Sequence, residues 1–232
     1  MMTNKNIDVH KEYYDNGQMQ YRVGYKNGKM EGLYKEWTRD GLLIVQCNYK
    51  NGKYDGTFKK WYLNGQLQEQ CFYRNGAREG ECKFWYSSGQ LDEISHYKNG
   101  KLEGPYEGYY PNGKQHLRFT YKNNKRDGLY EEWWDNGKMK VRTTFNDGKV
   151  NGLYEAWYTT GQLQQRVNYK TGKLDGPYKW YYMDGKLMER SNYKDDKLDG
   201  PSIKWDKYGD PVERNMYKNG RKVARRKVEG TL

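Results

Sequence analysis

Apolar residues are scarce in this chain. Of its 232 residues only 34% are hydrophobic and mean hydropathy is −1.32. No run approaches the ~18 apolar residues that a membrane-spanning helix needs. The opening stretch MMTNKNIDVHKEYY lacks the apolar centre of a secretion signal, so the expected compartment is the cytoplasm. Histidine is limited to His10, His96 and His116, none with an acid or nucleophile at a meaningful spacing. Cysteine is limited to Cys47, Cys71 and Cys82, with no CxxC spacing, which argues against a zinc site or redox motif. No P-loop, GxSxG or HExxH occurs. Paired carboxylates such as Glu131 and Glu132 are consecutive, so on a strand they point to opposite faces, the wrong arrangement for a general acid and base. No catalytic residue, metal ligand or cofactor is expected, and the chain reads as a non-enzyme.

What is plentiful is glycine, with 27 residues, and tyrosine, with 25, and both recur in phase. One glycine series runs Gly32, Gly56, Gly80, Gly104, Gly128, Gly152, Gly176, Gly200, and a second runs from Gly17 to Gly209. An aromatic series runs from Tyr25 to Tyr217, with Phe145 as its one departure from tyrosine. All three have a period of 24 residues without insertion or deletion, the signature of a stacked repeat array. High charge and low hydrophobicity suggest disorder, but an aromatic content of 16% argues for a thin, tyrosine-rich core.

Each unit carries two turn signals. The first is Asn-Gly or Asp-Gly, as at Asn64-Gly65, which predicts a two-residue type I′ hairpin turn. The second is the K-N-G-K-x-D-G loop, as at Lys98 to Gly104. The segments between are of strand length and too short for helices. Pro105, Pro177 and Pro201 follow the loop glycine, where a proline suits the first residue of a strand. The expected fold is all-β: an elongated antiparallel β-meander of about nine 24-residue β-hairpin repeats, a single twisted or coiled sheet. With Asn64-Gly65 as the turn, Tyr62 faces Leu67, Lys60 faces Glu69 and Phe58 faces Cys71, all on one core face. With two strands per repeat, Cys47 and Cys71 stand about 9–10 Å apart, too far to bond. Cys71 and Cys82 could meet on neighbouring strands, but free buried thiols are the expectation.

The opposite face carries the aromatic column Trp37, Trp61, Trp85, Tyr109, Trp133, Trp157, Tyr181, Trp205. Beside it runs an arginine column, Arg118, Arg142, Arg166, Arg190, Arg214, placed for cation–π stacking. These columns serve either as a structural cover for a one-layer sheet or as an aromatic stripe offered to a partner, and they are the candidate partner-binding residues.

The unit Y-K-N-G-K-x-[DE]-G-x-Y-x-x-W-Y-x-N-G-Q-L resembles the bacterial variant of the MORN repeat. Asn99-Gly100-Lys101, Glu103-Gly104, Trp157-Tyr158 and Gly161-Gln162-Leu163 carry the resemblance, which spans about Tyr13 to Lys218. It implies one β-hairpin per repeat. Proteins of this family are commonly labelled toxin–antitoxin system antitoxins, so it also implies a non-catalytic scaffold that binds and neutralises a protein.

Net charge is +12. Much of the excess sits in the loops as a basic ridge of Lys26, Lys29, Lys50, Lys53, Lys98, Lys101, Lys122, Lys125, Lys170, Lys173, Lys194 and Lys197, partly offset by loop acids such as Glu31, Asp55 and Glu103. Such a ridge speeds encounter with acidic partners or simply keeps loops soluble. Three partner classes follow: an acidic protein such as a toxin, an anionic membrane surface or phospholipid headgroup, and, more weakly, nucleic acid. Residues 1–8 read as an N-terminal end, 9–220 as one continuous repeat array and 221–232 as a basic cap. The fourth repeat breaks symmetry with Gly108, Tyr109, His116, Leu117 and Phe119, which marks Tyr109, Arg118, Trp85 and Trp133 as a candidate docking point.

Overall fold

The computed structural model describes residues 7–223. Among them every regular element is a β-strand, 25 in all, and the strands pair antiparallel. The residues 1–6 and 224–232, and with them most of the expected N-terminal end and basic cap, lie outside the described residues. Two compact units are present, 7–114 with 121–124 and 115–120 with 125–223. Each is an antiparallel meander built from the same hairpin.

In the first unit the hairpin Gly56–Trp61 with Leu67–Arg74 shows how the sequence makes it. Gly56 pairs with Tyr73, Phe58 with Cys71 and Lys60 with Glu69, the expected register. At the tip the pairing slips, so that Trp61 and not Tyr62 sits opposite Leu67. The turn is therefore not type I′. The Gly65 N–H donates to the Tyr62 carbonyl at 2.9 Å, the Tyr62 N–H donates to the Gln66 carbonyl at 2.8 Å, and Gly65 alone of the Asn-Gly pair takes a positive φ, of 82°. That is a three-residue loop, a type I turn closed by a glycine bulge. The type I′ turn lies in the other loop: Asn51 and Gly52 have φ of 51° and 79°, and Lys50 pairs directly with Lys53. The second unit repeats the pattern in Gly152–Trp157 with Leu163–Lys170.

The loop acids are structural. Glu31 accepts from the Asn51 backbone N–H at 2.8 Å, and Glu79 accepts from that of Asn99 at 2.8 Å, so each loop caps the next. In the first unit Asn124 joins in from the other direction, accepting from the Leu102 N–H at 2.6 Å. At the opposite tips, the hydroxyls of Tyr62 and Tyr158 donate to the carbonyls of Trp85 and Tyr181 at 2.8 Å, tying each repeat to its successor. Pro105 and Pro177, expected to open strands, instead lie inside Lys101–Tyr109 and Lys173–Tyr181, directly after the glycine at which the register slips. The slip leaves both prolines without a partner on the preceding strand, where a paired position could need an N–H; on its other side Pro177 stays in register opposite Asn192.

The core is one residue deep. Its buried column runs Val23, Cys47, Cys71 and Ser95 in the first unit and Phe119, Thr143, Val167 and Ser191 in the second. Aromatic rings flank it on the expected core face: Tyr34 and Tyr49 meet edge-on at 5.9 Å, and Tyr54 approaches Tyr49 to 4.8 Å. Where the repeat places an arginine at this position, its guanidinium lies against the rings. Arg126 lies 4.8 Å over Phe119 and 5.2 Å over Tyr130, and Arg78 lies 5.3 Å over Tyr97. Burial, reinforced by carboxylates such as Glu36 and Glu93, holds the hydroxyls of Tyr34 and Tyr106 well above the usual phenol range.

The cysteines depart from expectation in part. Gln70 pairs with Lys83 and Glu69 with Phe84, which brings Cys71 opposite Cys82 with Cα atoms 4.3 Å apart, and the two are joined by a disulfide. A narrow antiparallel pair brings side chains close enough for this. Cys47 is the buried free thiol, pushed up by burial to about 12.

Candidate partner-binding face

The face opposite the buried column is organised by strand register. Directly opposed residues run across the first unit as Lys11, Arg22, Lys35, Gln46, Lys59, Gln70, Lys83, Ile94 and Glu107. Across the second unit the same row reads Arg118, Glu131, Arg142, Glu155, Arg166, Lys179, Arg190, Ile203 and Arg214. The arginine column of the sequence is thus half of a lateral rib, with its alternate members supplied by the intervening strands. In both units most members are cations.

In the second unit the rib begins as alternating ion pairs. Glu131 is buried and accepts from Arg118 Nε at 2.7 Å, with Arg118 Nη2 ion-paired to the same oxygen at 2.7 Å, while Arg142 Nε stands 3.5 Å from its other oxygen. Glu155 Oε1 accepts from Arg166 Nε at 2.8 Å and Nη2 at 2.5 Å. Beyond Arg166 the carboxylates stop. Lys179, Arg190 and Arg214 make no ion pair among the described residues. Like charges directly opposite across strands are destabilising, so this part of the rib is held at a cost. Glu132, next to Glu131, lies on the other face, where it accepts from Tyr130 at 3.0 Å and from Lys140 at 2.6 Å.

The aromatic column flanks the rib, two residues further along each strand, and all eight of its members from Trp37 to Trp205 are half-buried. They sit where the strand pairing bulges, as Trp61 does opposite Leu67 and Trp157 opposite Leu163. The five arginines are exposed. The expected stacking is realised by Arg118, whose guanidinium lies 5.5 Å over the Trp133 ring. Tyr109, in place of tryptophan, hydrogen-bonds to Glu107, and burial with that bond pushes its hydroxyl up to about 12.

The loop lysines form a separate feature. All twelve are exposed, and the pairs Lys26–Lys29, Lys50–Lys53, Lys98–Lys101, Lys170–Lys173 and Lys194–Lys197 face each other across their turns. Their stems pack on the next loop: Lys29 Cβ and Lys53 Cβ lie within 3.8 Å of where a Cβ would stand on Gly52 and Gly76. Lys125 pairs with Asp147 at 2.7 Å. The ridge lies four residues along the strand from the rib, about 13 Å. Two signals went unread in the sequence. One is the alternation of Glu131 and Glu155 between the arginines, and the other is the chemically mixed buried column.

The MORN repeat variant model matches eight stretches: 9–27, 30–51, 54–75, 78–99, 102–123, 126–147, 150–171 and 174–195. The chain belongs to the MORN repeat variant family. In its MORN repeats the recurrent glycines hold turns and the tyrosines hold the core, which leaves the rib and its flanking tryptophans as the positions with chemistry to spare. No curated protein matches the chain. Among solved structures it is similar to a crystal structure of TcdB2-TccC3-Cdc42, at 12% identity and a TM-score of 0.23, over 85% of this chain. The chain spans 13% of the length of the chain it matches there.

Proposed function

We propose that this MORN-repeat chain is a non-catalytic scaffold whose cationic, tryptophan-flanked face grips an acidic surface of a partner protein, in the manner of an antitoxin or immunity protein holding its toxin. The observation that carries the reading is the rib: directly opposed cations along one face of each unit, bordered by half-buried tryptophans. Tryptophan and arginine are the residues that dominate binding energy at protein interfaces. The cation row also supplies the complementary potential that steers an acidic partner. The other face is already committed, since its tyrosine hydroxyls donate to its own glutamates, as Tyr34 does to Glu36 at 3.0 Å and Tyr106 to Glu93 at 2.8 Å.

Co-expression with the protein encoded by the neighbouring gene tests this. The expected result is relief of that protein's toxicity, lost when Trp85 and Trp133 are changed to alanine in a chain that still folds. A chain that binds only phosphatidylserine vesicles, or only nucleic acid with a steep salt dependence, contradicts it.

A further inference from the structure

Within that proposed reading, the second unit singles out one stretch of the rib. We infer that the strands Lys173–Tyr181, Leu187–Lys194, Gly200–Trp205 and Pro211–Lys218 form a trough for an extended acidic segment of the partner protein, held by Lys179, Arg190 and Arg214. Three observations converge on it.

First, these cations are directly linked in register, Lys179 with Arg190 and Arg190 through Ile203 with Arg214, with no carboxylate on the row between them. Earlier in the same unit every arginine of the row faces a glutamate. The loss of those glutamates leaves charge that an external carboxylate can satisfy. Second, the surface beside the cations is concave. A cavity of about 180 Å³ lies against Pro177, Lys179, Arg190 and Pro201, and a larger one of about 640 Å³ lies against Pro201, Ile203, Arg214 and Met216. Pro201 borders both, so they adjoin across the strands. Third, the trough is apolar beside its cations: the exposed Pro177, Pro201 and Met216 flank the row, and half-buried Ile203 stands on it between Arg190 and Arg214, so that they offer contact to the aliphatic stems of glutamates whose carboxylates reach the cations.

The geometry favours a protein segment over the other anions. Strands lie about 4.8 Å apart, which spaces the cations about 5 and 10 Å along a line. An extended peptide presents same-side carboxylates about 7 Å apart, within reach of flexible lysine and arginine side chains. A headgroup would call for cations gathered around one point. Single-stranded nucleic acid would call for exposed ring faces on which bases stack, whereas Trp157, Tyr181 and Trp205 are half-buried.

The test is fluorescence anisotropy of a labelled oligoglutamate peptide titrated with the full chain. A chain carrying Lys179→Glu, Arg190→Glu and Arg214→Glu is compared with one carrying Lys35→Glu, Lys59→Glu and Lys83→Glu, an equal change of charge on the first unit's row. Exposed charge pairs contribute about two- to fivefold each, so the first triple is expected to weaken binding about tenfold or more and the second about threefold or less. Arg190→Gln, which disturbs folding less, is expected to weaken it about two- to fivefold. Equal losses from the two triples overturn the trough while leaving the acidic-partner reading intact. Tighter binding of phosphatidylserine vesicles or single-stranded DNA than of oligoglutamate, at matched charge and salt, overturns both.

Discussion

Glu131 offers the sharpest single perturbation, because it is both a structural group and the reason the start of the second unit's rib is not free to bind. Its carboxylate is buried, accepts a hydrogen bond of 2.7 Å from Arg118 Nε and is ion-paired with Arg118 Nη2 at 2.7 Å, with Arg142 3.5 Å from the other oxygen. Glu131→Gln keeps the volume and an acceptor oxygen but removes the charge. A hydrogen bond to a charged group contributes about 1.5–3 kcal/mol and a neutral one about 1 kcal/mol. Because both guanidiniums are more than half exposed, solvent screening reduces the difference, and the expected loss of stability is about 1–2 kcal/mol. For a unit on the order of a hundred residues that lowers Tm by roughly 5–10 °C. At the same time the row gains a net positive charge flanked by Arg118 and Arg142, so binding of oligoglutamate is expected to tighten about two- to fivefold. The gain should fade as salt shortens the Debye length. Thermal melting by circular dichroism and anisotropy at low and high salt measure the two effects on one sample. Destabilisation without tighter binding refutes the idea that Glu131 neutralises a binding row, and no change in either refutes its ion pairs.

Three further outcomes are expected. Changing Cys71 and Cys82 together to serine removes a bond that closes a loop with a sequence separation of 11 residues, at a cost of about 2–3 kcal/mol. A reducing agent should produce the same drop in the unmodified chain, and equal melting with and without it contradicts the bond. Cys47 is buried and its thiol is pushed up to about 12, so it should stay unreactive towards a thiol reagent at pH 8 until the chain unfolds; rapid labelling of native protein speaks against its burial. Tyr34, Tyr106, Tyr130 and Tyr178 are held above the usual phenol range chiefly by burial. Their unfolded forms ionise near pH 10, so the stability they confer is complete below that pH and is lost as pH rises beyond it. Absorbance at 295 nm should rise together with the loss of β-sheet signal, and a smooth titration near pH 10 with the sheet intact contradicts the buried hydroxyls.

The repeat and its hairpins were legible because their determinants are local. Turn glycines need positive φ, as Gly52 and Gly65 show, and aromatic residues alternate with polar ones along each strand. The turn types were not legible, since the same Asn-Gly pair makes a two-residue turn at Asn51-Gly52 and a three-residue turn at Asn64-Gly65. The flanking register decides between them, and that depends on the bulge opposite Trp61. The arginine column was visible at its period of 24, but its interleaving with Glu131, Glu155 and Lys179 exists only once neighbouring strands pair. Likewise Glu31 and Asn51 are 20 residues apart in sequence and meet only when repeats stack, so an acid read as charge balance is in fact a loop cap. The buried column escaped notice because Val, Cys, Ser, Thr and Phe share no composition, only a position under tyrosine rings.

Side-chain footprinting of the chain with and without its acidic partner asks most directly which surface does the gripping. Arginine and tryptophan modification, read by mass spectrometry, should fall at Arg190, Arg214, Trp157 and Trp205, while the loop lysines such as Lys50 and Lys53 keep their reactivity. Protection confined to those loop lysines, with the arginines and tryptophans as reactive as in the free chain, contradicts the central claim that the rib is the binding face.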